Sequence, residues 1–212
     1  MENDYYPFIN LPLGYDYGAL EPFIDSMTMY LHHDRHLQTY IDNLNALLKA
    51  NPRLQRLSLT QLIRSASSMY PELGTPISRN AGGVYNHRFF FEGLTPHSNG
   101  EPVGMLSRAI KSQFGSFRNF KEKFKEAALS VFGSGYAWLV YGKGGLRIIT
   151  TTNQNTPLTM GVCPIITIDV WEHAYYLKHY NQRSAYIDDW FNVVDWNMAE
   201  ENYLLCTKGY VK

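Results

Sequence analysis

The longest regular pattern in this sequence is a series of apolar residues at helical spacing in its first quarter. These residues are Leu20, Phe23, Ile24, Met27, Leu31, Leu37, Ile41, Leu44 and Leu48. Spacings of three and four positions put side chains on one face of a helix, so we predict one long helix over about residues 26–49. Asp25 or Ser26 is the candidate N-cap, and Asn51-Pro52 ends the pattern.

Two further helical patterns complete the first half of the chain. They cover about residues 59–69 and 78–92. Residues 97–104 are then polar and rich in proline and glycine, which is typical of a linker. We therefore expect an all-helical N-terminal domain over residues 1–96 and a second domain over residues 97–212.

The second half changes from helical to β-type patterns. A helical pattern over about residues 117–131 comes first. The β-rich runs that follow cover residues 136–141, 146–152 and 164–170. Gly142-Lys143-Gly144-Gly145, between the first two runs, predicts a hairpin. Helical patterns return from about residue 172, so we expect an α+β domain with a small sheet.

Composition argues against two classes of partner. In 212 residues, 19 Lys and Arg balance 19 Asp and Glu, so nothing indicates a nucleic-acid partner. No run approaches the roughly 20 apolar residues of a membrane span, so no membrane partner is expected. A chain of this length can bury a core without a structural metal, so any bound metal is expected to be functional.

The two cysteines, Cys163 and Cys206, are far apart and follow no metal or redox spacing. We interpret them as buried free thiols, which favours a reducing compartment. The sequence Met1-Glu2-Asn3-Asp4 is acidic where a signal peptide would be basic and then apolar. A cytoplasmic location is therefore expected, with export by a leader removed beforehand left open.

A stripe of polar side chains lies on the first predicted helix. His32, His36 and Tyr40 are four residues apart, so their side chains should face one site. A His-x-x-x-His pair can bind zinc, but zincin proteases need Glu directly after the first His, and His33 stands there. A solvated helix face is the alternative interpretation of this stripe alone.

Two other segments carry candidate ligands. His87 lies four residues after Gly83, and the mid-helix pair Gly82-Gly83 costs about 1.5–2 kcal/mol relative to alanine. The glycines indicate either close helix packing or room beside His87 for a group supplied from elsewhere. Asp169 ends the third β-rich run and His173 follows four residues later, which is compatible with half of a metal site.

At these residues the chain resembles the iron/manganese superoxide dismutases over nearly its whole length. The octapeptide Asp169-Val-Trp-Glu-His-Ala-Tyr-Tyr176 is similar to that family's signature without a substitution. Other similar segments, in the same order, are Leu11-Pro-Leu13, Ala19-Leu-Glu-Pro22, Met29-Tyr-Leu-His-His33, Gln38-Thr-Tyr40, Asn80-Ala-Gly-Gly83, Asn86-His87, Phe132-Gly-Ser-Gly135, Asn153-Gln154 and Pro157-Leu158. The resemblance implies an α+β fold: a long antiparallel helical hairpin, then a domain with a three-stranded antiparallel sheet.

The resemblance also implies a ligand set that spacing alone does not select. It assigns the metal to His32, His87, Asp169 and His173. It makes His36 a residue of the passage that leads to the metal, together with Tyr40. Gln154 matches the family glutamine that bonds both the solvent on the metal and the passage tyrosine.

Five more positions match site residues of the family. Glu172 and Tyr176 match residues that reach across a homodimer interface, to a ligand histidine and to the passage histidine. Trp138 and Trp171 match aromatic residues that wall the site. Arg183 matches an arginine near the passage. A homodimer is therefore expected, with a tetramer left open.

The activity that this resemblance implies is an antioxidant one, with superoxide as a small anionic substrate. Superoxide must be oxidised in one half-reaction and reduced in the other, giving oxygen and hydrogen peroxide. Zinc cannot change oxidation state in this way, whereas manganese and iron can. Gly83 together with Gln154 is typical of manganese-type members, so we expect one manganese per subunit, with iron or either metal as the alternative.

Two other functions are compatible with histidine and carboxylate ligands. One is a metal-dependent hydrolase or oxygenase, and the other is a metal-storage protein. A relay of Tyr40, His36 and Gln154 argues against storage, which needs no proton transfer.

Three residues depart from the family pattern without removing a ligand. Leu37 stands where many members have a histidine, and Phe91 and Tyr136 replace frequent tryptophans. The resemblance therefore does not predict the catalytic rate or the polarity of the active-site pocket.

Overall fold

The computed structural model describes residues 3–210, and its first half is built on the long helix that the sequence predicts. This helix runs as α1 (Ser26–Leu31), a π-helical segment (His32–Leu37) and α2 (Gln38–Ala50). The Asp25 carboxylate caps it by accepting a hydrogen bond from the Thr28 backbone N–H. The π-helical segment was not predicted from the 3.6-residue pattern. It contains His32 and His36, and such segments are frequent at functional sites.

A second long helix lies antiparallel to the first. The helices after α2 are α3 (Leu59–Ser65) and α4 (Pro71–Glu92). His32 contacts His87, whereas Tyr40, further along the first helix, lies against Gly83. The predicted start of α4 near residue 78 was wrong, because Pro71 occupies the first helical turn, where the N–H that proline lacks is not needed.

The second half contains the predicted sheet. Its strands are β1 (Gly135–Gly142), β2 (Gly145–Thr152) and β3 (Cys163–Asp169). Its helices are α5 (Gly104–Phe114), α6 (Phe117–Ser130), α7 (Tyr176–His179), α8 (Arg183–Trp190) and α9 (Trp196–Thr207). The strand order is β2-β1-β3 with both pairings antiparallel, which confirms the expected sheet. Helix α5 was not predicted; it begins at Gly104, beside the proposed linker.

The two cysteines form a disulfide, so the prediction of free thiols was wrong. Cys163 begins β3 and Cys206 lies near the end of α9. Because α9 packs against β3, residues 43 positions apart in sequence have Cα atoms 5.6 Å apart, within the range that a disulfide bridges. The bond fastens the last helix to the sheet. It also removes the cysteine-based argument for a reducing compartment.

A continuous apolar core joins the two halves of the chain. Helix α4 packs against β3, and the second half of α4 is buried almost without interruption, from Ala81 to Phe91. This packing brings the C-terminal part of α4, which carries His87, to the end of β3, where Asp169 lies. Among the described residues, no helix has the length and apolar character needed to cross a membrane.

Candidate metal centre

Four side chains from four separate segments converge where the two halves meet. They are His32 of the π-helical segment, His87 of α4, Asp169 at the end of β3 and His173 of the following 3₁₀ turn. Their ligand atoms all lie within 4.8 Å of one another. Asp169 Oδ2 is 3.2 Å from His32 Nε2, 3.5 Å from His173 Nε2 and 4.0 Å from His87 Nε2.

The converging atoms are the ones that hydrogen bonding leaves unused. His87 Nδ1 lies 2.7 Å from the Gly83 carbonyl oxygen, which fixes the ring and turns Nε2 towards the cluster. Asp169 Oδ1 accepts from the Trp171 N–H at 2.8 Å, which leaves Oδ2. Among the described residues, none of the three Nε2 atoms nor Asp169 Oδ2 has a hydrogen-bond partner. Buried polar atoms are normally satisfied, so this set fits a bound metal ion.

Burial favours the neutral form of His32 and His87, and neighbouring imidazoles favour the ionised form of Asp169. Desolvation lowers the pKa of His32 to about 4 and that of His87 well below its usual value. Burial by itself would raise the pKa of Asp169, but the imidazoles of His173 and His32 outweigh it and hold the pKa well below its ordinary range. Neutral imidazole and ionised carboxylate are the forms that bind metals.

His36 and Tyr40 lie beside the cluster without joining it. The His36 ring stacks on His173 with centroids 4.1 Å apart, and the Tyr40 ring is 5.2 Å from His87. Both side chains are partly exposed, whereas His32 and His87 are buried. The polar stripe of the first helix therefore does face one site, as predicted, and its two more open members lie on the solvent side.

Gln154 connects Tyr40 to the interior. Its Nε2 donates to the Tyr40 hydroxyl oxygen at 3.1 Å. Its Oε1 accepts from Asn86 Nδ2 and from the Tyr136 hydroxyl, each at 3.1 Å. Asn86 was not assigned a role from the sequence, and Tyr136 was named only as a replacement for a family tryptophan. Tyr136 is two residues before Trp138 on β1, so strand alternation places both on one face, and this signal was available.

The two glycines of α4 make room for two different groups. A Cβ at Gly83 would overlap the Tyr40 ring, and a Cβ at Gly82 would overlap the Gln154 backbone carbonyl. The room predicted beside His87 is therefore taken by the Tyr40 ring, and the Gln154 side chain bonds the hydroxyl of that tyrosine. Neighbouring helical residues point about 100° apart, so one glycine admits the tyrosine and the other admits the backbone of the glutamine segment.

The remaining predicted residues lie at different depths. The Trp171 ring is 5.5 Å from His173, directly beside the cluster. Trp138 is fully buried, and its ring centroid is 5.7 Å from that of Tyr136, one layer further from the ligands. Arg183 donates to the carbonyl oxygens of Val131 and Gly133, at 2.6 and 2.8 Å, and to the Tyr175 hydroxyl. The Arg183 guanidinium therefore shapes the loop before β1.

Glu172 and Tyr176 lie on the surface of the chain. Both are exposed, Tyr176 to 48%. The Glu172 carboxylate forms no ion pair with any side chain of residues 3–210.

Comparison with known proteins agrees with this architecture. Residues 6–95 match the α-hairpin domain of the iron/manganese superoxide dismutases, and residues 102–202 match their C-terminal domain. A manganese superoxide dismutase of Thermus aquaticus is 47% identical over 199 residues, covering 93% of this chain and 98% of its own. One from Pseudomonas aeruginosa is 46% identical, covering 91% of this chain and 95% of its own. One from Leptolyngbya boryana is also 46% identical, covering 91% and 81%.

The two halves of the chain therefore match the two domains of one family, and both halves supply residues to the cluster. The chain belongs to the iron/manganese superoxide dismutases and is an oxidoreductase that converts superoxide to oxygen and hydrogen peroxide.

Proposed function

We propose that His32, His87, Asp169 and His173 hold one redox metal ion, with manganese preferred and iron as the alternative. The observation that carries this proposal is the convergence of four buried ligand atoms without hydrogen-bond partners in the described chain. When bound, the metal supplies one-electron chemistry by changing between the 3+ and 2+ states. Three neutral imidazoles and one carboxylate leave the site with net positive charge in both states, which favours an anionic substrate.

The preference for manganese rests on two supports. The side chain that bonds Tyr40 comes from Gln154, in the segment after β2, and not from α4. Within the family that the chain resembles, that arrangement is typical of the manganese-type members. The relatives named above are also manganese enzymes by name.

Tyr40, His36 and Gln154 are proposed to form the passage and its proton supply. Burial raises the pKa of Tyr40, so its hydroxyl keeps its proton at neutral pH and can donate it. Gln154 holds that hydroxyl at 3.1 Å from its amide nitrogen. Partly exposed Tyr40 and His36 therefore connect solvent to the buried cluster, and replacing Gln154 by Ala should keep the metal while lowering turnover.

The three other predicted residues are proposed to shape the pocket. Trp171 walls the cluster beside His173, and Trp138 supports that wall from behind Tyr136. Arg183 holds the carbonyl oxygens of the loop that precedes β1. The family resemblance places this charge near the passage, where it would favour an approaching anion.

We further propose a homodimer whose interface includes Glu172 and Tyr176. The loop held by Arg183 carries Phe132, whose side chain is 99% exposed, and Leu177 of α7 is 51% exposed. A contiguous exposed apolar patch marks an interaction surface, and Phe132 and Leu177 would form such a patch in the proposed interface. In this arrangement Glu172 would find a histidine partner on the other subunit.

Light scattering of the metal-loaded protein tests the dimer. Phe132→Ser should shift the protein towards monomers, whereas Tyr70→Ser should not, although Tyr70 is 86% exposed on the helical half. A wild-type protein that is monomeric at micromolar concentration would refute the dimer. If the wild type is a tetramer and Tyr70→Ser converts it to dimers, the helical half carries a second interface in addition to the proposed one.

Two remaining assignments are also proposals. The domain boundary is placed between residues 96 and 97, in the interval between the two matched family domains, 6–95 and 102–202. The disulfide favours an oxidising compartment over the cytoplasmic location expected from free thiols, because cytosolic proteins are normally kept reduced.

Reconstitution separates the proposed function from its alternatives. Metal-free protein is loaded with manganese or with iron, and superoxide consumption is followed by stopped-flow spectrophotometry. The proposal expects one metal per chain and fast dismutation, greatest with manganese. Tight metal binding without superoxide consumption would instead support storage, and activity only on an ester or with a reducing co-substrate would support a hydrolase or oxygenase.

A further inference from the structure

A cavity of about 630 Å³ lies between residues 10–15, the π-helical segment, the end of α4 and the start of α9. Leu37 and Phe91, two of the three residues that depart from the family pattern, both line it. Phenylalanine is smaller than the tryptophan that it replaces, and leucine lacks the polar nitrogens of histidine. The cavity is therefore larger and more apolar in this chain than the family pattern would make it.

This cavity is separate from the passage to the metal. His36, Tyr40 and Gln154 are not among the residues that line it. Phe91 lines it, and the Phe91 ring is 4.9 Å from that of His32, so this side chain contacts both the cavity and a proposed metal ligand. The roles proposed above for dismutation leave the cavity itself unused.

The size and the walls of the cavity are those of a small-molecule site. Such sites usually have volumes of about 300–1,000 Å³, mostly apolar walls and a few polar groups. Leucine and aromatic side chains form much of the wall: Leu11, Leu13, Leu37, Leu94, Tyr15 and Phe91. The faces of aromatic rings attract cations as well as apolar groups.

The hydrogen-bond donors of the cavity wall are already used inside the protein. Arg88 donates to three oxygen atoms of residues 3 and 9, at distances from 2.7 to 3.0 Å. Both ring nitrogens of His33 lie within 2.9 Å of oxygen atoms, one on a carboxylate and one on a backbone carbonyl. An anionic occupant would have to break these bonds.

Two acceptors of the wall are unused, by contrast. Asn10 Nδ2 donates to the His33 carbonyl oxygen at 3.0 Å, and Asn10 Oδ1 is buried without a partner in the described chain. Asp195 Oδ1 caps α9 by accepting from two backbone N–H groups, and no donor of residues 3–210 bonds Asp195 Oδ2. The wall therefore offers one amide oxygen and one carboxylate oxygen to an occupant that donates.

We propose that this cavity binds a small organic ammonium compound with an aromatic body. The ammonium group would donate to Asp195 and Asn10, with the carboxylate providing a charge-assisted bond. The body would lie against Tyr15 and Phe91. Such a site is distinct from the metal centre, so binding does not require superoxide or turnover.

Two matched probes test the proposal by isothermal titration calorimetry on the metal-loaded wild type. They are 2-phenylethylammonium and 3-phenylpropionate, which share a phenyl ring and a two-carbon linker and carry opposite charges. The ammonium probe should bind saturably, one per chain. The carboxylate probe should bind at least about tenfold more weakly, the loss expected of one charge-assisted hydrogen bond.

Three variants locate the binding. Leu13→Trp places a larger side chain in the cavity and should abolish binding. Asp195→Asn keeps a good N-cap and removes the charge, so it should weaken binding of the ammonium probe by about tenfold. Asp25→Asn is the matched control, because Asp25 caps α1 in the same way and does not line the cavity; its affinity should equal that of the wild type.

Four results would overturn the proposal. They are no saturable binding of 2-phenylethylammonium in the millimolar range, equal affinity for the two probes, full affinity in a folded Leu13→Trp variant, and equal affinity of Asp195→Asn and Asp25→Asn. Circular dichroism shows whether Leu13→Trp is folded. If it is not, the comparison of the two aspartate variants decides.

Discussion

The disulfide between Cys163 and Cys206 should be a major contributor to stability, and replacing both cysteines by alanine removes it. The bond links the start of β3 to the end of α9. The segment between them contains Asp169 and His173, two of the four proposed ligands. Cutting the bond should therefore weaken the fold and loosen half of the metal site.

The magnitude follows from the length of the closed loop. For cysteines 43 positions apart, the chain-entropy model gives about 13 cal/mol/K, or about 4 kcal/mol at 25 °C. Measured losses fall between about 2 and 5 kcal/mol. With an unfolding entropy of about 2.1 cal/mol/K per residue, a loss of that size lowers the melting temperature by about 9 °C in a chain of 212 residues.

Calorimetry of the metal-free protein measures this change without the contribution of metal binding. Wild-type protein with its disulfide reduced is the control, because it keeps both side chains and lacks only the cross-link. The alanine variant should melt about as low as the reduced control. Two titratable thiols in wild-type protein unfolded without reductant, or a melting temperature unchanged by reduction, would refute the reasoning.

Three further predictions concern single positions. Glu200→Ala should lower the free energy of unfolding by about 1–2 kcal/mol, because its carboxylate accepts from two N–H groups at the start of α5; an unchanged urea midpoint would contradict this. In metal-free protein, His32 has a pKa of about 4 when folded and 6.5 when unfolded, so the unfolded chain binds more protons between these values. Stability should then fall by about 3 kcal/mol as pH drops from 6.5 to 4, and a flat urea midpoint over that range would argue against burial of a neutral imidazole. Gly83→Ala should displace the Tyr40 ring and lower kcat with the metal retained, whereas Gly14→Ala, where a new Cβ meets nothing within 4 Å, should not; equal rates would show that the ring has other room.

Local patterns were sufficient for the elements with a single strong period. The long helix, its Asp25 cap and the three strands were predicted close to their observed bounds. The start of α4 was missed because prolines and a glycine in its first turns look like breakers. Gly74 is needed there because a Cβ would meet the Ala66 carbonyl, and that is a tertiary contact.

Site residues depended on contacts that spacing does not carry. His32 and His36 are equivalent on a helical wheel, and only the family motif separated them. In the structure the π-helical segment and the packing of α4 send His32 inward and leave His36 on the solvent side. The disulfide was missed for the same reason, since its two cysteines meet only after α9 packs against β3.

The most direct test of this account is the metal content and dismutase rate of Asp169→Ala, measured beside the wild type after growth with both manganese and iron. Asp169 Oδ2 lies within 4.0 Å of all three histidine ligand atoms, and it is the carboxylate of the cluster. The wild type should contain one redox metal per chain and consume superoxide, and the variant should lose the metal and the activity together. Full metal content and full activity in Asp169→Ala would contradict the assignment of the metal centre.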